Sequence, residues 1–161
     1  MQESTTDISA IVQAAKKQFG LELHGIHGVA HWARVRENGL RLAKRTGADA
    51  QIVELFAYLH DCCRESDSMD MGHGRRAAEF AKTLRSRILH LSDAAFEILY
   101  VAIHDHETGR TRGDITAMTC WDADRLDLGR VSIRPEPRYL CTDAGKDADM
   151  IEWAYKRSRA R

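Results

Sequence analysis

Leu59-His60-Asp61 closes an apolar run, Gln51-Ile52-Val53-Glu54-Leu55-Phe56-Ala57-Tyr58, and sets an imidazole directly beside a carboxylate. In a helix, residues three, four and seven positions apart stack on one side, so Val53, Phe56 and His60 share a face and His60 points inward. Asp61 lies about 100° further round and about 1.5 Å along the axis, and at a helix end both groups can turn onto one ion. This pair suits a divalent metal such as Mn, Fe, Co, Ni, Zn or Mg. The plainer alternative is a buried histidine satisfied by its neighbour, and the remaining histidines decide between the two.

Three of them fall on inward faces. His31 aligns with Val35, Asn38 and Leu42; His73 with Ala77, Ala81, Leu84 and Ile88; His106 with Ala95, Leu99 and Ala102. His104 instead aligns with Asp93, Glu97 and Tyr100, which reads as a solvated residue or one that supports the site from behind. His73 opens its segment, where the positive end of the helix dipole favours the neutral imidazole that a metal requires. Among the aspartates of Trp121-Asp122-Ala123-Asp124-Arg125-Leu126-Asp127, periodicity does not choose. Arg64, just beyond the His-Asp pair, is placed to clamp a phosphate with two parallel hydrogen bonds, and Arg75 or Arg76 to assist; the alternative for each is a solvated surface charge. Asp67 and Asp70 are candidate bases or orienters of an attacking water. His24 and His27 lie on a short loop with no assigned role.

The elements that must carry these residues read as helices throughout. Thr5, Thr6 and Asp7 offer a cap for a first helix through Ile8, Ile11, Val12, Ala15 and Phe19, stopped by Gly20. A second begins after Gly28 and closes at Gly47; Asp49 caps a third that ends at His60-Asp61. A polar loop, Arg64 to Gly72, precedes the helix of His73, and Ser92 or Asp93 caps the helix that reaches His106. Asp114 starts a sixth. Residues 129–145, with Pro135, Pro137 and Gly145, read as an irregular crossing, and residues 148–157 as a final short helix. Proline is absent before Pro135, which lets helix follow helix. We expect one all-α domain, residues 1–161, of about six to seven helices, with no repeat and no low-complexity linker.

Composition excludes several classes. Lys plus Arg equals Asp plus Glu at 24 each, so no overall field draws the chain to nucleic acid or anionic lipid. The basic stretch Lys156-Arg157-Ser158-Arg159-Ala160-Arg161 reads as a frayed, solvated end. Cys62, Cys63, Cys120 and Cys141 form no CxxC pair, so the thiols are expected to be reduced. No apolar run approaches the roughly 18 residues of a membrane span, and Met1-Gln2-Glu3-Ser4 lacks a signal-peptide pattern, so a cytoplasmic location is expected. No GxGxxG, P-loop or GxSxG motif occurs.

His31, His60-Asp61 and the Asp122-to-Leu126 segment stand in the order H…HD…D. This order resembles the HD-domain superfamily of metal-dependent phosphohydrolases, all-helical proteins whose ligands come from separate helices. The likeness spans roughly residues 25–130 and is carried by His31-Trp32-Ala33-Arg34-Val35, Leu59-His60-Asp61 and Asp124-Arg125-Leu126. It implies His31, His60, Asp61 and Asp124 as metal ligands, with Asp122 left behind the site or on the surface. Some members hold a second ion with extra histidines on the intervening helices, which here would be His73 and His106. The same two residues could instead bind substrate phosphate or donate a proton to the leaving oxygen, catalytic roles beside an Asp61 that orients the water.

The implied activity is hydrolysis of a phosphoester or phosphoanhydride in a nucleotide or other small phosphorylated metabolite, with one or two divalent ions per chain, Arg64 and Arg76 on the phosphate, and no membrane or nucleic-acid partner. If two ions bind, Asp61 must bridge them. The sequence favours one tightly held ion, because no third carboxylate has a defined inward phase to offset a second divalent charge. Two rivals remain: a di-iron oxygenase on the same fold, which needs six protein ligands, and a module that binds a nucleotide without turnover.

Overall fold

The computed structural model describes residues 4–160; the signal-peptide reading at residues 1–3 and the last arginine of the basic tail lie outside them. Side-chain caps set the starts of the helices. Asp7 accepts from the Ala10 amide to begin α1 (Ile8–Gln18), and Asp49 accepts from Gln51 and Ile52 to begin α3 (Ala50–Leu59). Ser92 caps α5 (Asp93–Asp105) and Asp114 caps α6 (Ile115–Arg125). Such side-chain acceptors satisfy amides that have no partner within the helix. Glycines bound two other helices. α2 (Val29–Thr46) ends at Gly47, with φ 78°, and α4 (His73–Leu84) follows Gly72, with φ 88°.

α3 is the centre of the molecule. Ile52, Val53, Leu55, Phe56, Ala57 and Leu59 are all buried, which suits an element packed against α1, α2, α5 and α6 together. α2 also lies along α6, and α4 along α5. Two glycines permit the close approaches that matter for the site. A Cβ on Gly39 would come within 2.4 Å of Val53 Cγ1, so its absence lets α2 press onto α3. A Cβ on Gly74 would stand 2.7 Å from the His104 carbonyl and 2.8 Å from that of Ile103; its absence brings the start of α4 against the end of α5.

The all-helical reading holds, with eight α-helices and no strand among the described residues. α4 stops at Leu84, short of Ile88, because the chain turns at Arg85 and continues through Leu89 into the core. The 129–145 crossing contains 3-10 turns at Leu128–Val131 and Pro137–Tyr139 and a one-turn helix α7 (Asp143–Lys146). The basic tail is not frayed at residues 156–159. α8 (Ala148–Arg159) runs through it, Ser158 is buried, and Arg157 pairs with Glu37 and lies over Trp153. Cys62, Cys63 and Cys120 are buried as small apolar side chains. No helix among the described residues is long and apolar enough to cross a membrane.

Candidate metal centre

His31 projects from α2 into the core, and its Nδ1 donates to Asp127 Oδ2 at 2.7 Å. His60 sits just past α3, where its Nδ1 lies 3.1 Å from the carbonyls of Phe56, which also accepts the His60 backbone amide, and Ala57. Its ring stacks on Phe56 with centroids 4.8 Å apart. His73, in the first turn of α4, has Nδ1 2.6 Å from the Asp70 carbonyl and 2.5 Å from Glu107 Oε2. His106, just beyond α5, has Nδ1 2.6 Å from the Ile103 carbonyl. Each acceptor holds a proton on Nδ1, so every Nε2 turns toward the cluster, where the unprotonated ring presents its lone pair.

Those lone pairs converge in two groups. His31 Nε2 and His60 Nε2 are 3.1 Å apart, with Asp124 Oδ1 at 3.2 Å from the first and 3.4 Å from the second. His73 Nε2 and His106 Nε2 are 2.9 Å apart. Asp61 stands between the groups. Its Oδ2 lies 3.3 Å from His31 and 3.4 Å from His60, while its Oδ1 lies 3.4 Å from His73 and 3.3 Å from His106. Two facing lone pairs repel unless a cation or proton lies between them. Donors at right angles on an ion with bonds of about 2.1 Å stand about 3.0 Å apart, close to these edges. The donor set therefore fits divalent ions in two places, one offered His31, His60, Asp61 and Asp124, the other Asp61, His73 and His106.

The electrostatics express the same demand. Burial opposes a charged imidazole at His31 and Arg130 adds to that, yet Asp124, Asp127 and Asp61 raise His31 above the ordinary histidine value. At His60 burial is likewise overcome, by Asp61 and Asp124, which push it up to about 10. Burial raises the Asp61 carboxyl, but His60, His106 and His31 outweigh it; burial raises that of Asp124, and His31 and His60 outweigh it, so both stay well below the usual carboxylate range. Burial lowers His73, whereas Asp61 and the Asp70 carbonyl raise it further, so the helix start does not by itself keep this imidazole neutral. The protons that these carboxylates hold on the imidazoles occupy places that a divalent cation would take.

A cleft of about 580 Å³ opens over Asp61, His73, His106 and Asp124. Arg64 reaches it: Nε lies 3.5 Å from Asp61 Oδ1, buried and without a hydrogen-bond partner, while Nη1 donates to the carbonyls of Ser66 and Ser68. Arg76 does not line this cleft. Its Nη2 donates to Asp70 Oδ1 at 2.7 Å and its Nε to the Cys63 carbonyl, so it is spent on holding the 64–72 loop. Asp70 is structural too, accepting from the amides of Glu65 and Ser66. Asp67 pairs with Nδ1 of buried His27 at 2.7 Å. His104 turns away, two-fifths exposed at its side chain and paired with Asp105. Asp122 is fully buried and accepts from Cys141, Thr142 and the Thr142 hydroxyl, anchoring the segment that leads into α7.

Two neighbours of the site, Glu107 and Arg130, have no place in the sequence reading, and a third, Asp127, stands there only among aspartates that periodicity does not separate. Asp127 orients His31, Glu107 orients His73, and Arg130 lines the cleft beside Arg64. Asp127 and Glu107 are also the further carboxylates whose apparent lack favoured a single ion. Asp127 lies three residues beyond Asp124 and Glu107 immediately follows His106, so proximity in sequence was the available signal.

A protein described as a predicted HD superfamily hydrolase, from an uncultured Thermotogales bacterium, has a solved structure with a TM-score of 0.72 to this chain. The identity is 26%, over 92% of this chain and 84% of that one. No protein-family model and no curated protein matches the chain. The resemblance to the HD-domain superfamily thus extends from three short motifs to nearly the whole fold.

Proposed function

We propose that this chain, with its HD-superfamily fold, is a metal-dependent phosphohydrolase that holds two divalent ions and acts on a small phosphorylated metabolite. One observation carries the reading: the two oxygens of Asp61 face different histidine pairs, Oδ2 toward His31 and His60 and Oδ1 toward His73 and His106. A single carboxylate shared in this way brings both ligand groups onto one phosphoryl group.

When bound, the ions supply Lewis acidity at phosphorus and lower the pKa of water. The chain's own residues do the rest. His31, His60 and Asp124 hold one end of the site, His73 and His106 the other, and Asp61 aligns the two. As ligands, His73 and His106 have no Nε2 free to protonate a leaving group, so the metal role displaces their alternative as proton donors. Arg64, whose Nε stands 3.5 Å from Asp61 Oδ1 without a hydrogen-bond partner, is placed to donate to a phosphoryl oxygen. In the overall reaction the water oxygen bonds to phosphorus, the bond from phosphorus to the leaving oxygen breaks, and one proton ends on that oxygen.

The same six donors satisfy the ligand count of a di-iron oxygenase, which makes it the second reading. Two arginines in the cleft and the description of the Thermotogales protein as a hydrolase favour phosphoryl chemistry. The test is reconstitution of chelated protein with Mn or Zn, followed by a phosphoester screen with oxygen uptake recorded. Phosphate release without oxygen uptake is expected. Turnover only with iron, and with oxygen consumed, would establish the rival.

A further inference from the structure

Met69 and Met71 stand at the mouth of the cleft, 86% and 84% exposed. The loop that carries them is pinned. Asp70, between them, turns inward to the amides of Glu65 and Ser66 and to Arg76. The Gly72 amide donates to Glu107 Oε1, and Arg64 holds the carbonyls of Ser66 and Ser68. With Asp70 anchored, its two neighbours are directed outward. Two large apolar side chains fixed in water forgo the gain of burial unless something covers them.

The cleft is graded from floor to mouth. At the floor stand the metal-ligating groups and the two arginines, Arg64 against Asp61 and Arg130 with Nη1 4.0 Å from Asp127 Oδ2. At the mouth the methionines face the same space as Leu128, and no further Lys or Arg among the described residues lines it. A chain of additional phosphates leaving the floor would meet thioethers and methyl groups instead of cations. An aromatic or otherwise apolar group would meet a matching surface, since methionine sulfur makes favourable contacts with ring edges.

We infer that the substrate is a phosphomonoester whose single phosphoryl group sits on the ligand floor while an aromatic or apolar alcohol portion lies across Met69, Met71 and Leu128. The inference rests on the hydrolase reading and narrows it, setting aside phosphoanhydrides. The products are the free alcohol, which takes the proton at its oxygen, and inorganic phosphate.

Benzylphosphonate and methylphosphonate, whose carbon–phosphorus bonds are not hydrolysed, provide a binding test on the manganese-loaded full chain by calorimetry. Burial of the ring is expected to make the benzyl compound about tenfold tighter, and the Met69→Ser/Met71→Ser variant to bring the ratio toward one. Equal affinities in the unaltered chain, or a preference that survives the double substitution, would overturn the inference and leave the hydrolase reading standing. Hydrolysis forms the second arm. Phenyl phosphate should exceed glycerol 2-phosphate and pyrophosphate in kcat/KM, and preference for pyrophosphate would refute the assignment. Benzyl preference in binding with no turnover of any of the three would remove the hydrolase reading but uphold the apolar ligand class.

Discussion

The Nδ1 atoms of the four clustered histidines all face fixed acceptors, and at His31 that acceptor is also held from behind, because Arg34 Nε donates to the other oxygen of Asp127 at 2.7 Å. Replacing Asp127 by Asn removes the charge and frees the ring, so metal affinity should fall by about 10- to 100-fold. Competition with a chromophoric chelator measures this, and unchanged affinity would refute the positioning role. His104→Ala, by contrast, should retain full metal content, since His104 faces Asp105 and solvent. The raised His60 sets a pH dependence. Its folded pKa, about 10, exceeds its unfolded value near 6.5, so in metal-free protein its stabilisation is complete below the unfolded value and is lost as pH rises through about 10. Asp61 and Asp124 have the opposite sign: their contribution is present above the unfolded carboxylate value and is lost as pH falls through their lowered folded values. Metal must displace the imidazole protons, so binding at pH 7 should release protons and affinity should climb with pH. Calorimetry in buffers of different ionisation enthalpy reads that release directly, and its absence would count against protonated imidazoles in the free site. In the sequence, inward phase identified His31, His60, His73 and His106, whereas Asp127 and Glu107 fall in the turns just beyond α6 and α5, where helical phase no longer applies.

At the scale of elements, the site depends on how closely α4 can approach α5. Gly74→Ala would press a methyl group onto the carbonyls of His104 and Ile103, parting His73 from His106. A loss of roughly 1–3 kcal/mol in urea unfolding is expected from such overpacking, together with weaker occupancy at the His73–His106 end. An unchanged midpoint with full metal content would show that the two helices have slack. The apolar period along α2, α3 and α5 made these helices legible in the sequence; Asp49 and Asp114 cap α3 and α6 as expected, and of the alternatives the sequence offered Asp7 caps α1 and Ser92 caps α5. α7 was not legible because a single turn has no period. Asp70 of the 64–72 loop and Arg76 of α4 look in the sequence like an acid and a cation available to a substrate, but each is the other's partner. A sequence shows residue types and spacing, and it does not show which charges are already spent.

For the whole molecule, the order H…HD…D conveyed the fold class and pointed to His31, His60, Asp61 and Asp124, which the fold brings together from widely separated segments, but not the number of ions they could hold. That number depends on a relation no motif contains, the orientation of one carboxylate between two histidine pairs contributed by α2, α3, α4 and α5. Metal stoichiometry therefore tests the shared carboxylate most directly. Elemental analysis of the native full chain should find two transition-metal ions per chain. The His73→Ala/His106→Ala variant should fall to one, and Asp61→Asn should lose affinity at both positions. A single ion in the native chain that persists unchanged in the His73→Ala/His106→Ala variant would contradict the shared-carboxylate centre.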